Sequence, residues 1–136
     1  PESMQLNPSY KDVVGEIKAY LTHMCDLAYS AGVSKDKLVV DPGIGFGKLL
    51  EHNMAILNAL TEFSEIGYPV MIGTSRKRSL QEICGTRTPS QLEGATCATT
   101  ALGVQSGATI FRVHDVKANR QAADVAWAVL NYELGK

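Results

Sequence analysis

Three short apolar runs constrain this 136-residue chain more than any other feature: Lys37–Val40 (KLVV), Pro69–Ile72 (PVMI) and Ala108–Val113 (ATIFRV). A strand with one wet face alternates polar and apolar residues. These runs barely alternate, so both faces need cover, which is the condition of parallel strands layered between helices. The intervening segments supply that cover. From Tyr10 to Ala31 the apolar residues Val13, Val14, Ile17, Tyr20, Leu21, Met24, Leu27, Ala28 and Ala31 step by threes and fours. Such spacing predicts one face of a long helix, stopped at Gly32 by a left-handed cap. Leu49–Ile66 predicts a second helix with Leu50, Met54, Leu57, Leu60 and Phe63 inward, closed by Gly67. Arg76–Ile83 reads as a short helical piece before Gly85. Ser90-Gln91-Leu92-Glu93 has the form of a capping box opening a helix to about Ser106. Asn119 to about Glu133 predicts the last helix, with Ala122, Val125, Ala126, Val129 and Leu130 inward.

The order α-β-α-β-α-β-α gives an α/β fold with three parallel strands and about four main helices. Three βα units are too few for a closed barrel of eight, which takes about 250 residues. They fit a small open sheet or part of a barrel. No linker, low-complexity stretch or fixed-period repeat divides the chain, so residues 1–136 read as one domain. The opening PESMQLNP reads like a loop entered midway, as if the chain begins inside a larger protein.

Composition narrows the function. The chain is 45% hydrophobic and 20% charged with a formal net charge of -1. Such balance offers no bulk electrostatic partner, so neither nucleic acid nor an anionic membrane is expected. No apolar run reaches the ~20 residues that cross a bilayer, and a cytoplasmic location is expected. Cys25, Cys84 and Cys97 are odd in number with no C-x-x-C pair, which suggests buried free thiols. His23, His52 and His114 match no common zinc spacing, and no metal ligand is assigned.

The polar residues gather at one end of every strand. The first strand leads into DPGIGFGK (Asp41–Lys48), the second into Thr74, Ser75, Arg76, Lys77 and Arg78, and the third carries Arg112, His114 and Asp115. Parallel α/β folds put their ligands at the C-terminal strand edge. The glycine run fits neither nucleotide motif. Gly43 and Gly47 enclose three residues where a P-loop has four, Leu49 follows Lys48 where a hydroxyl is required, and G-x-G-x-G is not G-x-G-x-x-G. Asp41 can accept paired N–H bonds from a planar heterocycle, or cap the turn after it. Of the adjacent cations Arg76, Lys77 and Arg78, one or two can face a common ligand. Arg112 and His114 share a strand face and suit an anion; an Arg112–Asp115 ion pair is the alternative. Together these residues suggest a site for a planar polar ring and a phosphate-like group.

Three segments in order resemble the dihydropteroate synthase family: Asp41–Lys48 its D-P-G-[FI]-G-F-G-K, Gly73–Lys77 its G-x-S-R-K, and Arg112–Asp115 its R-V-H-D. Pro1–Gln5 is similar to the segment after the family's fifth barrel strand. The resemblance implies the C-terminal part of a TIM (β/α)8 barrel, from the helix of unit five to the last helix, with the N-terminal half of the barrel outside this chain. It implies a transferase of folate biosynthesis that condenses 6-hydroxymethyl-7,8-dihydropterin diphosphate with 4-aminobenzoate, releasing pyrophosphate, and that sulfonamides inhibit. By the same resemblance Asp41, Lys77 and Arg112 are catalytic. Asp41, Gly45, Phe46, Gly73, Ser75, Arg76, Lys77, Arg112 and His114 bind substrate, with Ser75 and Arg76 near the aminobenzoate carboxylate. Arg78 departs from the Ser that some members carry at that position. Mg2+ is expected in the complete enzyme, with its protein ligand outside these residues. The piece alone is expected to be inactive and to self-associate or form a homodimer. The alternatives are a non-catalytic anion- or pterin-binding half-barrel and a methyltetrahydrofolate-type methyltransferase.

Overall fold

A computed structural model describes residues 9–133; Pro1–Gln5, likened above to a barrel segment, lies outside them. Helix α1 spans Val13–Ser30. Asp12 caps it by accepting the Gly15 N–H at 3.0 Å, and the Glu16 carboxylate reaches back to the Lys11 and Asp12 N–H groups. Its end is a Schellman turn. Gly32 (φ +95°) donates to Tyr29 O and Val33 to Ala28 O, so the last carbonyls are satisfied where a side chain would be strained.

The sheet is parallel and sequential. Strand β1, Met71–Ile72, pairs with β2, Ile110–Phe111, Met71 facing Ile110 and Ile72 facing Phe111. The first expected strand contributes a single parallel bridge, Val40 to Val70, held by Val40 N–H to Pro69 O and Met71 N–H to Val40 O. All three runs are shorter as ladders than as apolar stretches. Lys37 ends a 3-10 turn, Lys35–Lys37, and Val39 is exposed on the outer edge. Val40, Val70 and Ile72 join Ile44, Ile56, Leu60, Phe63 and Ala108 in one core, capped by Cys25 of α1.

The second expected helix breaks at Ala59 (φ -107°, ψ 21°) into α2, Leu50–Asn58, and α3, Leu60–Ser64. Its buried face is Asn53, Ile56, Leu60 and Phe63; Leu50, Met54 and Leu57 are half-buried. A buried amide in the stripe displaced the expected face. Helix α4 spans Arg78–Cys84 and ends at Gly85. The capping box at Ser90 does not form. Pro89–Gln91 makes a 3-10 turn, Leu92 precedes α5 (Glu93–Gln105), and Glu93 turns instead to Asn119. Helix α6 starts earlier than expected, at Val116, runs to Leu130, and is capped by Asp115.

Two apolar faces differ from expectation. Tyr20, Met24 and Leu27 of α1 and Val125, Val129 and Leu130 of α6 are exposed, because the described elements cover only one side of each helix. All three cysteines are free, but only Cys25 is buried; Cys97 is half-buried and Cys84 is exposed. Among the described residues no helix is long and apolar enough to cross a membrane.

Candidate active site

The three polar segments meet at the C-terminal edge of the sheet. Asp41 follows the Val40 bridge, and its Oδ1 accepts the Gly43 N–H at 2.8 Å. That is the turn-capping role, made with one carboxylate oxygen. The loop then runs through Gly43, Gly45 and Gly47, all at positive φ. Gly45 is the tightest position: φ is +81°, and a Cβ there would lie 2.7 Å from Lys77 Cδ. Backbone and lysine stem therefore share space that only glycine leaves open.

Two lysines hold this loop from opposite sides. Lys48 folds back to donate to Gly43 O and Phe46 O, both at 2.9 Å. It staples the loop and does not stand ready for a phosphate, in keeping with the failed P-loop spacing. Lys77 donates to Ile44 O, and its Nζ lies 4.2 Å from the centroid of the Phe46 ring. Burial lowers the pKa of both amines. Asp41 opposes that fall in each, while Arg112 adds to it at Lys77 and Lys77 adds to it at Lys48. Asp41, Lys48, Lys77 and Arg112 thus share one electrostatic neighbourhood, although three different strand ends supply them.

A cleft of about 750 Å3 opens between the loop and α4, lined by Phe46, Lys48, Asn53, Lys77, Arg78 and Glu82 among others. Phe46 is 53% exposed and presents a ring face backed by the Lys77 cation.

The second segment divides its side chains. Ser75 is 7% exposed; its Oγ hydrogen-bonds His114 Nδ1 at 2.8 Å and accepts the His114 backbone N–H at 3.2 Å. Its partner is thus His114, and neither residue is among those lining the cleft. Arg76 adopts φ +59°, the left-handed region that non-glycine residues seldom enter. This reversal lets Ser75 meet His114, beyond β2, while Lys77 meets Phe46. Thr74 Oγ1 bonds Thr99 Oγ1 at 2.6 Å and ties the segment to α5. Gly73 lets Arg112 close in, since a Cβ there would stand 3.6 Å from Arg112 Cβ. Arg112 and His114 lie beyond β2, Arg112 exposed and His114 exposed on its outer side. The Arg112–Asp115 ion pair does not form among the described residues; Asp115 is spent on the α6 cap.

Asp41, Gly45, Phe46 and Lys77 are therefore one cluster, with Arg112 and Gly73 alongside and Ser75 supporting His114. Asn53, which receives the Gly45 N–H at 2.7 Å, escaped the sequence reading. A polar residue three before Ile56 and seven before Leu60, on the buried stripe, was its one signal. Among the described residues no three His, Cys, Asp or Glu side chains converge as a metal site.

The profile of the pterin binding enzymes matches residues 1–114. The chain belongs to that family. Dihydropteroate synthase of Neisseria meningitidis serogroup B is 40% identical over 137 residues, which take in 98% of this chain and 48% of that protein. Dihydropteroate synthase of Thermus thermophilus, solved with 6HMPPP and with 4-aminobenzoate, matches with a TM-score of 0.90 at 44% identity. It covers 96% of this chain and 51% and 53% of those chains. The Yersinia pestis enzyme, solved with a sulfonamide drug, matches at a TM-score of 0.90 and 34% identity, over 94% of this chain and 46% of that one. The chain thus spans about half the length of the curated relatives it matches. The α/β architecture expected from the strand and helix order is that of these barrel enzymes.

Proposed function

We propose that this pterin binding enzyme chain forms one wall of a dihydropteroate synthase site. The reaction joins the amine nitrogen of 4-aminobenzoate to the methylene of 6-hydroxymethyl-7,8-dihydropterin diphosphate. A C–N bond forms, the C–O bond to diphosphate breaks, and the amine gives up a proton. The observation that carries this reading is Lys77, which lies over Phe46, reaches into the glycine loop, and shares its field with Asp41 and Arg112.

The protein's work in such a displacement is to position two flat rings and stabilise charge. Asp41 keeps a carboxylate oxygen for the amino-pyrimidine edge and balances the cation that develops at the methylene. Lys77 contacts the pterin and backs the Phe46 ring, against which the aminobenzoate ring packs. Arg112 and His114 hold the departing diphosphate. The bond from Ser75 to His114 supports a changed role for Ser75: it orients the imidazole, and the aminobenzoate carboxylate falls to Arg78, which lines the cleft, with Arg76 nearby in the chain. Magnesium, where the complete enzyme uses it, is bound by groups other than these. The location is cytoplasmic, the inhibitors are sulfonamides that compete for the Phe46 side of the cleft, and the assembly is a homodimer.

Assay of dihydropteroate formation tests the reading. The complete enzyme carrying these residues turns over, and the 136-residue chain alone does not. Equal rates from both would remove the proposed dependence on further barrel units, and no product from either would remove the synthase reading.

A further inference from the structure

We infer that Asn53 is a positioning residue that sets the Lys77–Phe46 face of the cleft. The substrate named below rests on the synthase reading; the geometry does not. Asn53 lies on α2 and is 3% exposed. Its Oδ1 accepts the Gly45 N–H at 2.7 Å, and its Nδ2 donates to Leu49 O at 2.9 Å. A backbone N–H only donates and a carbonyl only accepts, so these two partners settle which end of the amide faces which group. Leu49 is pinned from its other side as well, its N–H donating to His52 Nδ1 at 3.1 Å.

What Asn53 holds is the point on which the cleft turns. Gly45 packs beneath the Lys77 stem with no room for a Cβ. The preceding carbonyl, Ile44 O, receives the Lys77 amine, and the following residue, Phe46, lies under it. A shift of the Gly45 peptide therefore moves the acceptor and the ring of Lys77 together. Each polar end of Asn53 is bonded to a protein backbone group and the side chain is 3% exposed, so it acts on the cleft through its neighbours.

A residue that only stabilises the fold would change the unfolding midpoint and leave the cleft as it is. A positioning residue changes the cleft. The full chain is compared with Asn53→Leu, similar in size but without hydrogen bonds, and with Asn53→Asp. The Phe46 ring current is expected to shift the Lys77 ε-methylene protons upfield in the NMR spectrum of the wild type, and Asn53→Leu to abolish that shift. In Asn53→Asp the neutral acid reproduces the amide, its C=O accepting from Gly45 and its O–H donating to Leu49 O. The carboxylate cannot donate, and repulsion between it and the Leu49 carbonyl oxygen drives the side chain away from the position that accepts from Gly45. The shift in that variant is therefore present at pH below the titration of the introduced carboxyl group and lost above it. In the complete enzyme, Asn53→Leu raises the KM for 4-aminobenzoate by about tenfold or more, as small misplacements of contact groups do, and raises the KM for the pterin diphosphate by less, because Lys77 is one of several pterin contacts whereas the Phe46 face carries the aminobenzoate ring.

An unchanged Lys77 shift in folded Asn53→Leu overturns the inference, as does an equal rise in both KM values. Where Asn53→Leu does not fold, the pH series of Asn53→Asp decides, and a shift that ignores pH counts against the role. If the wild-type complete enzyme makes no dihydropteroate, the synthase reading falls, and the NMR shifts alone decide the role of Asn53.

Discussion

At the scale of single residues, Lys77 shows how one side chain is tuned by several neighbours. Burial disfavours its charge, Arg112 repels it and Asp41 supports it. Asp41 is therefore expected to act twice. In Asp41→Ala the pKa of Lys77 falls further below its ordinary 10.5, because the neighbour that raises it is gone. NMR titration of the lysine measures this, and a rise would contradict the arrangement. The same change in the complete enzyme weakens pterin binding by about 1.5–3 kcal/mol, the usual contribution of a hydrogen bond to a charged group. Unchanged affinity in a binding titration would reject that role. Arg76 belongs to this scale too. Its left-handed backbone separates the side chains on either side of it, and nothing in the residue type announces that conformation.

Elements are joined here by buried polar groups as much as by apolar contact. Asn119 of α6 is 2% exposed; it accepts from Thr100 Oγ1 at 2.7 Å and donates to Glu93 and to Asp115 O. It thus fastens α5 to the start of α6, shortly after His114. Asn119→Leu leaves the Thr100 hydroxyl and the Glu93 carboxylate without this partner and takes one of two donors from Asp115 O, and is expected to destabilise the fold by about 2–3 kcal/mol. Urea unfolding checks this, and a loss below about 0.5 kcal/mol, the low end for a single hydrogen bond, would show that the network is dispensable. This tie also explains why the capping box failed. Ser90 and Glu93 have the right spacing, but Glu93 meets Asn119 instead. Helix and strand types and the Gly32 and Gly85 stops were thus legible from local pattern, while the Ser90 box gave way to a long-range partner that no local pattern contains.

The whole molecule leaves large apolar residues uncovered on two helices. Tyr20 and Leu27 on α1, and Val125, Trp127, Val129 and Leu130 on α6, are all exposed in this chain. Isolated exposed apolar residues are ordinary, but runs of them along a helix mark contact surfaces. The 136-residue chain is expected to self-associate, and light scattering after size exclusion would show a mass above 14.7 kDa. A monodisperse monomer would mean that these faces tolerate water.

The sequence by itself determined the α/β class, the parallel sheet and the edge on which the chemistry lies. Those follow from hydrophobic period and from polar residues placed after strands, which are local properties. It also brought Asp41, Lys77, Arg112 and His114 forward as candidates. Only the tertiary structure decided what each side chain touches: Lys48 on its own loop, Ser75 on His114, Lys77 on Phe46, and Asn53 on Gly45. Those partners are 2 to 39 residues apart, and a buried amide or hydroxyl takes whichever donor or acceptor the packed fold brings to it. Spacing along the chain cannot name that partner, because the choice is made by three-dimensional packing and by the cost of leaving a buried polar group alone.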